Sequence, residues 1–138
     1  MLSLDAARTA IGGAEAEARR LRIAISVAVV DLAGLPLALI RMDGAIPATA
    51  EMALGKAFAA VFWQRPTSDL ATLARDRPAL FDALMAAARR PLVPSAGGLP
   101  IEQNGTVVAG IGVSGARSPE EDVICAQAGL LAAGLSPI

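Results

Sequence analysis

Lys56 is the residue whose type and setting most invite a chemical role, because it is the only lysine in a chain with eleven arginines. It lies in the alanine-rich, largely apolar stretch from Pro47 to Trp63. An amine in apolar surroundings can act as a base, a Schiff-base former or an anion ligand. The alternative is a solvated side chain whose aliphatic part lies along a helix surface. The sequence leaves both interpretations open.

Arg41 and Asp43 form a second candidate pair, at the end of a predicted strand. A guanidinium group binds a carboxylate or phosphate through two parallel hydrogen bonds, so Arg41 is a candidate clamp for an acid group. Asp43 would orient that ligand or act as a base. A structural interpretation competes, because Asp43-Gly44 is typical of a turn and the two side chains could form a local ion pair.

Two further polar positions follow the last predicted strand. Ser114-Gly115 combines a hydroxyl group with backbone amides, which predicts a concave anion-binding site. Asp122 lies in the first turn of the last predicted helix, where it either complements the helix dipole or faces a pocket. A nucleophilic Ser114 is disfavoured because no histidine can activate it, which leaves a serine–lysine pair as the only option.

The absence of histidine and tyrosine limits the chemistry most strongly. It removes the commonest metal ligand and the commonest general base, and we predict no metal site. A single cysteine excludes an intrachain disulfide and is typical of a reducing compartment. The first ten residues lack the pattern of a signal peptide, so the predicted location is the cytoplasm.

The overall composition predicts a soluble protein with apolar contact surfaces. Hydrophobic residues make up 54% of the 138 residues and aromatic residues only 3%, with a mean hydropathy of +0.54. No apolar run reaches the roughly 18 residues that span a membrane, so the apolar surplus favours a homo-oligomer. A net charge of −1 argues against nucleic acid or a membrane as a partner.

The elements that must position these residues follow from the apolar periodicity and the turn residues. The predicted order is α-β-β-α-α-α-β-β-β-α within one domain, residues 1–138. In chain order we predict a helix from the cap Ser3 to Leu21, strands Ile23–Asp31 and Leu35–Met42, a helix Pro47–Trp63, a helix Ser68–Arg75 capped by Thr67, a helix from Pro78 with Arg89-Arg90 in its last turn, an edge strand Pro91–Ala96, a hairpin within Gly97–Gly115, and a helix from Pro119 that Gly134 ends.

The hairpin is the clearest local signal, because Asn104-Gly105 lies between two alternating segments. From Thr106 to Ser114 one face carries only apolar side chains, Val107, Ala109, Ile111 and Val113. The other face is nearly bare at Gly110, Gly112 and Ser114. That face predicts the close approach of another backbone, a helix or a ligand.

Seven short motifs occur along the chain in a fixed order. They are SVAVVD with the turn that follows it, RMDGA, the Lys-Ala pair at 56–57, RPTSDLA, GGLPI followed by Asn-Gly, VVAGIGVSG, and an acidic residue followed by AQAG in the last helix. Together they resemble the GlcG/HbpS-like domain, also called the haem-degrading domain, which also occurs as the C-terminal part of PduO-type proteins. The resemblance covers roughly residues 3–134.

The resemblance implies a profilin-like α+β fold with three layers, α/β/α. Its antiparallel sheet would have five strands and helices on both faces. It also implies a homo-oligomer, from a tetramer to an octamer. The resemblance strengthens the prediction that Lys56 is a site residue, because this Lys-Ala position recurs in the family. It strengthens the same prediction for Asp122, because Asp122 occupies the family's acidic position.

The resemblance also raises the question of a tetrapyrrole cofactor, since some members bind haem or cobalamin-related molecules. Haem binding in the family is associated with a histidine ligand, and this chain has none. Substitutes would be Cys125 as a thiolate, or the thioethers of Met42, Met52 and Met85. For Cys125 the surrounding apolar residues favour a small buried core residue instead.

Two functional hypotheses from different classes follow. In the first, the protein binds a small anionic or tetrapyrrole-like ligand in a pocket near Arg41, Lys56 and Ser114, with Gly115 and Asp122 nearby. In the second, it is a cofactor-independent isomerase, lyase or hydrolase acting on a small organic acid. Lys56 or Asp43 would then transfer a proton. The enzyme requires Lys56 to be buried near Asp43 or Asp122.

Overall fold

The computed structural model describes residues 1–137, which form helices and a single sheet. In chain order they are α1 (Leu4–Leu21), β1 (Ser26–Asp31), β2 (Pro36–Arg41), α2 (Pro47–Trp63), α3 (Thr67–Asp76), α4 (Pro78–Ala87), β3 (Gly98–Gln103), β4 (Thr106–Ser114), α5 (Pro119–Ala132) and β5 (Ser136–Pro137). Two helices begin with a serine cap, α1 and α5. Ser3 Oγ accepts the Ala6 N–H in α1, and Ser118 Oγ accepts the Glu121 N–H in α5.

The strands form one antiparallel sheet in the order β2-β1-β4-β3-β5. The predicted α+β class, with an antiparallel sheet and helices, is confirmed. The predicted count of five strands is not confirmed, because the sheet has four full-length strands. The short β5 adds only two residue pairs along β3.

Pro91–Ala96, one of the five predicted strands and expected at an edge of the sheet, forms no strand. Pro91 and Pro94 offer no N–H group to a ladder. Leu92 instead packs beside Phe81 and Leu70 under α3 and α4, in a small cluster away from the sheet.

The two faces of the sheet are covered by different helices. On one face, Val27 and Val29 of β1 pack with Ile111 and Val113 of β4 against α1 and α5. On the other face, α2 lies across the sheet and brings small residues such as Ala53 and Ala57 against β1. The sheet is therefore a middle layer between helices.

Gly110 and Gly112 explain how closely α2 approaches. A Cβ atom at Gly110 would lie 2.6 Å from the carbonyl oxygen of Ala57, so the helix backbone occupies the space of the missing side chain. The bare face of β4 is therefore filled by a helix, one of the three occupants that the sequence predicted.

Two other local predictions are wrong. Thr67 is the first residue of α3 rather than its cap, and its buried hydroxyl donates to the Ser95 carbonyl and accepts the Gly98 N–H. Helix α4 ends at Ala87, so Arg89 and Arg90 lie beyond its last turn. Within residues 1–137, no helix combines the length and the apolar character needed to cross a membrane.

Candidate functional site

Lys56 lies on the buried side of α2, where its ammonium group crosses to the end of β4. Its Nζ donates to the carbonyl oxygen of Val113 at 3.0 Å and to Oδ2 of Asp122 at 3.0 Å. The side chains of Lys56 and Asp122 are only 4% and 7% exposed. Of the two interpretations of Lys56, the solvated side chain is therefore wrong.

Asp122 holds the other half of the ion pair from the first turn of α5. Its Oδ1 accepts the N–H of Ala116 at 3.0 Å, so both carboxylate oxygens are engaged. Burial raises the pKa of the Asp122 carboxyl, and this effect outweighs the opposing influence of Lys56 and the Ala116 amide. Asp122 thus meets both descriptions that the sequence offered, since it lies at a helix start and also faces Lys56.

Gly97 encloses the pair from the side of β3, and Thr67 holds the residue that follows it. A Cβ atom at Gly97 would lie 2.9 Å from Lys56 Nζ and 2.6 Å from the Val113 oxygen, and Gly97 has a φ of +127°. Thr67 holds the next residue, Gly98, through its hydroxyl. Neither was predicted as part of the site, although the Gly97-Gly98 pair just before a strand was the available signal.

A shallow hollow of about 340 Å³ opens beside the ion pair, and we call it the Lys56 hollow. It is bordered by the starts of α2 and α5, the end of β4, and the segment before β3. Its lining residues are Thr49, Met52, Lys56, Ser95, Ser114, Gly115, Ala116, Arg117, Ser118, Pro119 and Asp122. The structure therefore brings together four of the predicted site residues, namely Lys56, Ser114, Gly115 and Asp122.

A buried hydroxyl pair lies at the α2 side of the hollow. Ser26 Oγ and Thr49 Oγ1 are 2.8 Å apart, and Thr49 Oγ1 donates to the Ile46 carbonyl at 2.7 Å. Because a hydroxyl has one proton, Ser26 is the donor to Thr49. Sequence analysis missed this pair, since isolated Ser and Thr residues carry no distinctive spacing.

Arg41 and Asp43 lie outside the lining of the Lys56 hollow. Both side chains are exposed, and Arg41 Nη1 donates to the Ala45 carbonyl at 3.2 Å. Arg41 is opposite Ser26 in the sheet, and Ser26 is opposite Ser114. Two strand spacings, about 10 Å, therefore separate the backbones of Arg41 and Ser114 along this row.

The sulfur atoms that could replace histidine at haem iron are mostly unavailable. Cys125 is fully buried, and burial, followed by the charge of Asp122, raises the pKa of its thiol to about 11, so it is not a thiolate. The Met42 sulfur accepts the Ile25 N–H, and the Met85 sulfur accepts the Leu92 N–H. Only Met52, 41% exposed, lines the hollow. These residues do not fit haem held by a strong iron ligand.

Two cations line the Lys56 hollow, namely Lys56 and Arg117. An ammonium carries three N–H donors, and Lys56 uses two of them on Val113 and Asp122. At the rim, Arg117 pairs with Glu121 at 2.6 Å. The positive charge of each residue is therefore already paired with a carboxylate.

Comparisons with known proteins agree on one family. A model of the family described as "Haem degrading protein HbpS-like" matches residues 2–131. A 15.0 kDa protein encoded between dhaT and dhaS in Citrobacter freundii is 30% identical over 129 residues, which cover 94% of this chain and 89% of that protein.

Two solved structures extend the likeness to three dimensions. A double mutant of HbpS from Streptomyces reticuli is 41% identical, with a TM-score of 0.85 over 94% of this chain and 85% of its own. The PduOC:heme complex is 26% identical, with a TM-score of 0.87 over 98% of this chain and 96% of its own. The chain belongs to the HbpS-like family.

Proposed function

We propose that the protein is a small-molecule-binding protein that holds the acid group of a small anionic ligand in the Lys56 hollow. The observation that carries this proposal is Lys56 itself. Its ammonium is buried and fixed by Val113 and Asp122, yet it borders the hollow with one N–H donor that has no acceptor within residues 1–137. A fixed, poorly hydrated cation binds an anion more strongly than a mobile surface lysine does.

The polar lining around Lys56 supports the same proposal. Ser114 is half-buried at the end of β4, and its hydroxyl has no hydrogen-bond partner in the described part of the chain. Gly115, with a φ of +115°, turns the backbone there. Ser114 and Gly115 would bind the second oxygen of the acid group. We assign no ligand contact to Arg41, because it lies outside the lining of the Lys56 hollow and its guanidinium donates to the Ala45 carbonyl.

A tetrapyrrole is the larger ligand that the relatives suggest. The family is described as haem degrading, and one structural neighbour is a heme complex. Haem carries two carboxylates, so the acid group that we propose at Lys56 could belong to a tetrapyrrole or to a free organic acid. Because no histidine is present and Cys125 is buried, we expect any haem contact to lack a strong protein ligand to iron.

The binding test uses three probes, pyruvate, lactate and hemin, titrated into the protein. We expect amide shifts at Ser114, Gly115 and Ala116 in ¹H–¹⁵N spectra with at least one carboxylate, and a Soret shift if hemin binds. Ser114→Ala should weaken carboxylate binding several-fold, whereas Ser68→Ala, on the exposed side of α3, should not. Carboxylate binding that is the same in Ser114→Ala and the parent would overturn the proposal.

We further propose that the chain is a single cytoplasmic domain that forms a homo-oligomer, from a tetramer to an octamer. Two large apolar side chains support this, since Ile46 and Leu131 are 65% and 80% exposed. Surfaces of this kind are typical of subunit contacts. Light scattering coupled to gel filtration tests the proposal, and a monomer at micromolar concentration would contradict it.

A second candidate is a cofactor-independent enzyme acting on a small organic acid, and the buried Lys56–Asp122 pair favours it. A carboxyl group with a raised pKa beside an amine is suited to moving a proton. Asp43 is exposed on its turn, so this candidate rests on Lys56 with Asp122. Deuterium exchange into pyruvate in D₂O, followed by proton NMR, tests it. An exchange rate equal in the parent and Asp122→Asn would contradict a role for the pair.

A further inference from the structure

A second concave surface lies on the opposite side of α2 from the Lys56 pair and takes no part in the proposed function. It is a crevice of about 370 Å³ lined by Gly34, Leu35, Phe58, Arg89, Arg90 and Pro91, which we call the arginine crevice. It lies where the β1–β2 turn and the segment after α4 meet over α2. Helix α4 ends at Ala87, and this early end brings both arginines to the crevice.

The floor of the arginine crevice is formed by Phe58, which is only 4% exposed. Phe58 and Phe62 stack with their ring centroids 5.8 Å apart. Gly34, with a φ of +80°, lies directly against the Phe58 ring, where a Cβ atom would lie 2.9 Å from Cε1. The absence of a side chain at Gly34 therefore lets the turn reach the ring. A neighbouring hollow of about 170 Å³ shares Phe58 and Arg89 and continues along Phe62.

The wall of the arginine crevice is cationic. The Arg90 guanidinium lies 5.9 Å from the Phe58 centroid, within the range of a cation–π contact. Arg89 Nη2 donates to the Ala33 carbonyl. Neither arginine forms an ion pair with a carboxylate inside residues 1–137. Asp31, in the same hairpin, is instead occupied by the turn amides of Ala33 and Leu35.

We propose that the arginine crevice binds an aromatic carboxylate or an aromatic phosphate ester. The flat ring of the ligand would lie against Phe62, which is 39% exposed, and its acid group would accept hydrogen bonds from Arg89 and Arg90. Guanidinium groups match the geometry of a carboxylate or phosphate, and stacked rings add contact area that an inorganic anion cannot use. This class of ligand differs from the small acid proposed at Lys56, because it needs an apolar body.

The test titrates 1-naphthoate, 1-naphthyl phosphate, inorganic phosphate and 1-naphthylmethanol into the full chain by calorimetry. We expect at least one of the two aromatic anions to bind, and inorganic phosphate and the uncharged alcohol to bind at least tenfold more weakly. The two aromatic anions distinguish carboxylate from phosphate recognition. Equal binding of the alcohol, or no binding of either aromatic anion, would overturn the proposal.

Variants then locate the site. The double variant Arg89→Ala/Arg90→Ala should weaken binding of the aromatic anion at least tenfold. The matched control is Arg65→Ala, since Arg65 also lies over an aromatic ring, 5.8 Å from Trp63, and its loss should change affinity less than twofold. Ser114→Ala should have no effect, which separates this site from the Lys56 hollow. Unchanged affinity in the double variant would overturn the proposal.

A ¹H–¹⁵N spectrum of the parent protein locates the binding site without relying on the folding of the double variant. In the parent protein, saturation with the aromatic anion should shift the amide signals of Gly34, Leu35, Arg89 and Arg90. Shifts confined instead to Ser114–Arg117 would place the ligand in the Lys56 hollow and overturn the proposal.

Discussion

Four charged residues are candidate site residues in the sequence, and the structure treats Arg41 and Asp43 in the opposite way from Lys56 and Asp122. Arg41 and Asp43 are two residues apart, exposed, and form no ion pair with each other within residues 1–137. Lys56 and Asp122 are 66 residues apart, almost fully buried, and joined by a 3.0 Å hydrogen bond. Closeness in sequence was the weaker guide, because burial depends on where the helices pack.

The comparison also separates two energetic regimes. An exposed pair is hydrated and screened, so it contributes about 0–1 kcal/mol to stability. A buried pair is costly to form, and removing one partner leaves an uncompensated charge in a poorly hydrated site. We therefore expect substitutions at Lys56 and Asp122 to affect folding and binding together, and substitutions at Arg41 and Asp43 to affect neither strongly.

The largest effect should come from removing one member of the buried pair. Lys56→Met should lower the free energy of unfolding by about 3–5 kcal/mol, because it leaves the Asp122 carboxylate buried with only the Ala116 amide as a partner. Urea denaturation measures the change. The double variant Lys56→Met/Asp122→Asn should recover more than half of the loss. A loss of unfolding free energy below about 0.5 kcal/mol in Lys56→Met would mean that this pair contributes no more than an exposed ion pair does.

The next largest effect should come from the glycine that encloses the pair. Gly97→Ala should destabilise the protein by about 2–3 kcal/mol, since the new Cβ would overlap the Val113 carbonyl and press on Lys56 Nζ. The control is Gly134→Ala, which has a φ of +67° and open space around it, so it should cost only about 1–2 kcal/mol of backbone strain. Equal losses in the two variants would mean that the overlap at Gly97 is relieved at no cost.

Cys125 provides a pH-dependent test, because the charge of Asp122 contributes to the raised pKa of its thiol. Its pKa is raised to about 11 in the folded state, while an unfolded thiol titrates near 8.5. The stabilisation is therefore complete below about pH 8.5 and is lost as the pH rises through 11, by at most about 1.4 kcal/mol per pH unit. Urea midpoints from pH 8 to 11 should fall less steeply in Cys125→Ala.

The same thiol reports on the charge of its neighbour. After desolvation, the charge of Asp122 is the next largest cause of the raised thiol pKa. In Asp122→Asn, the ultraviolet absorbance of the Cys125 thiolate should therefore appear at lower pH than in the parent. The absence of tyrosine leaves this absorbance unobscured. An unchanged thiol pKa would show that Asp122 is already neutral in the parent.

The smallest effects should occur at the exposed pair. Arg41→Ala removes one hydrogen bond to the Ala45 carbonyl, and Asp43→Ala removes an exposed carboxylate. Each should change the free energy of unfolding by no more than about 0.5 kcal/mol, as is usual at exposed sites. The same urea measurement applies. A loss above 2 kcal/mol in either variant would erase the contrast with Lys56 and Asp122.

The sequence predicted much of the architecture because local chemistry specifies it. Residue alternation marks β4, Ser118-Pro119 starts α5, and the bounds of α2 match the prediction residue for residue. The errors occur where tertiary contacts override local signals. Thr67 resembles a helix cap but holds Gly98 instead, and Pro91–Ala96 resembles an edge strand, although its apolar residue Leu92 packs under α3 and α4.

The site was only partly predictable for a related reason. Lys56, Ser114, Gly115 and Asp122 stand out by residue type or motif, and the structure places all four around one hollow. Gly97 is critical because of atoms that come from α2, β4 and α5 at once. The chain order contains no pairwise signal for such a three-way contact.

By itself, the amino-acid sequence determined helices α1 to α5, the strands β1 to β4, the bare face of β4, and the chemistry that the lack of histidine excludes. Only the tertiary structure decided which of the charged side chains are buried and lie beside a hollow. The reason is physical, since Gly110 and Gly112 let α2 press onto the sheet, and that close approach takes the Lys56 ammonium out of water to Asp122. A charge becomes a candidate for binding or catalysis through its desolvation, and desolvation is a property of packing.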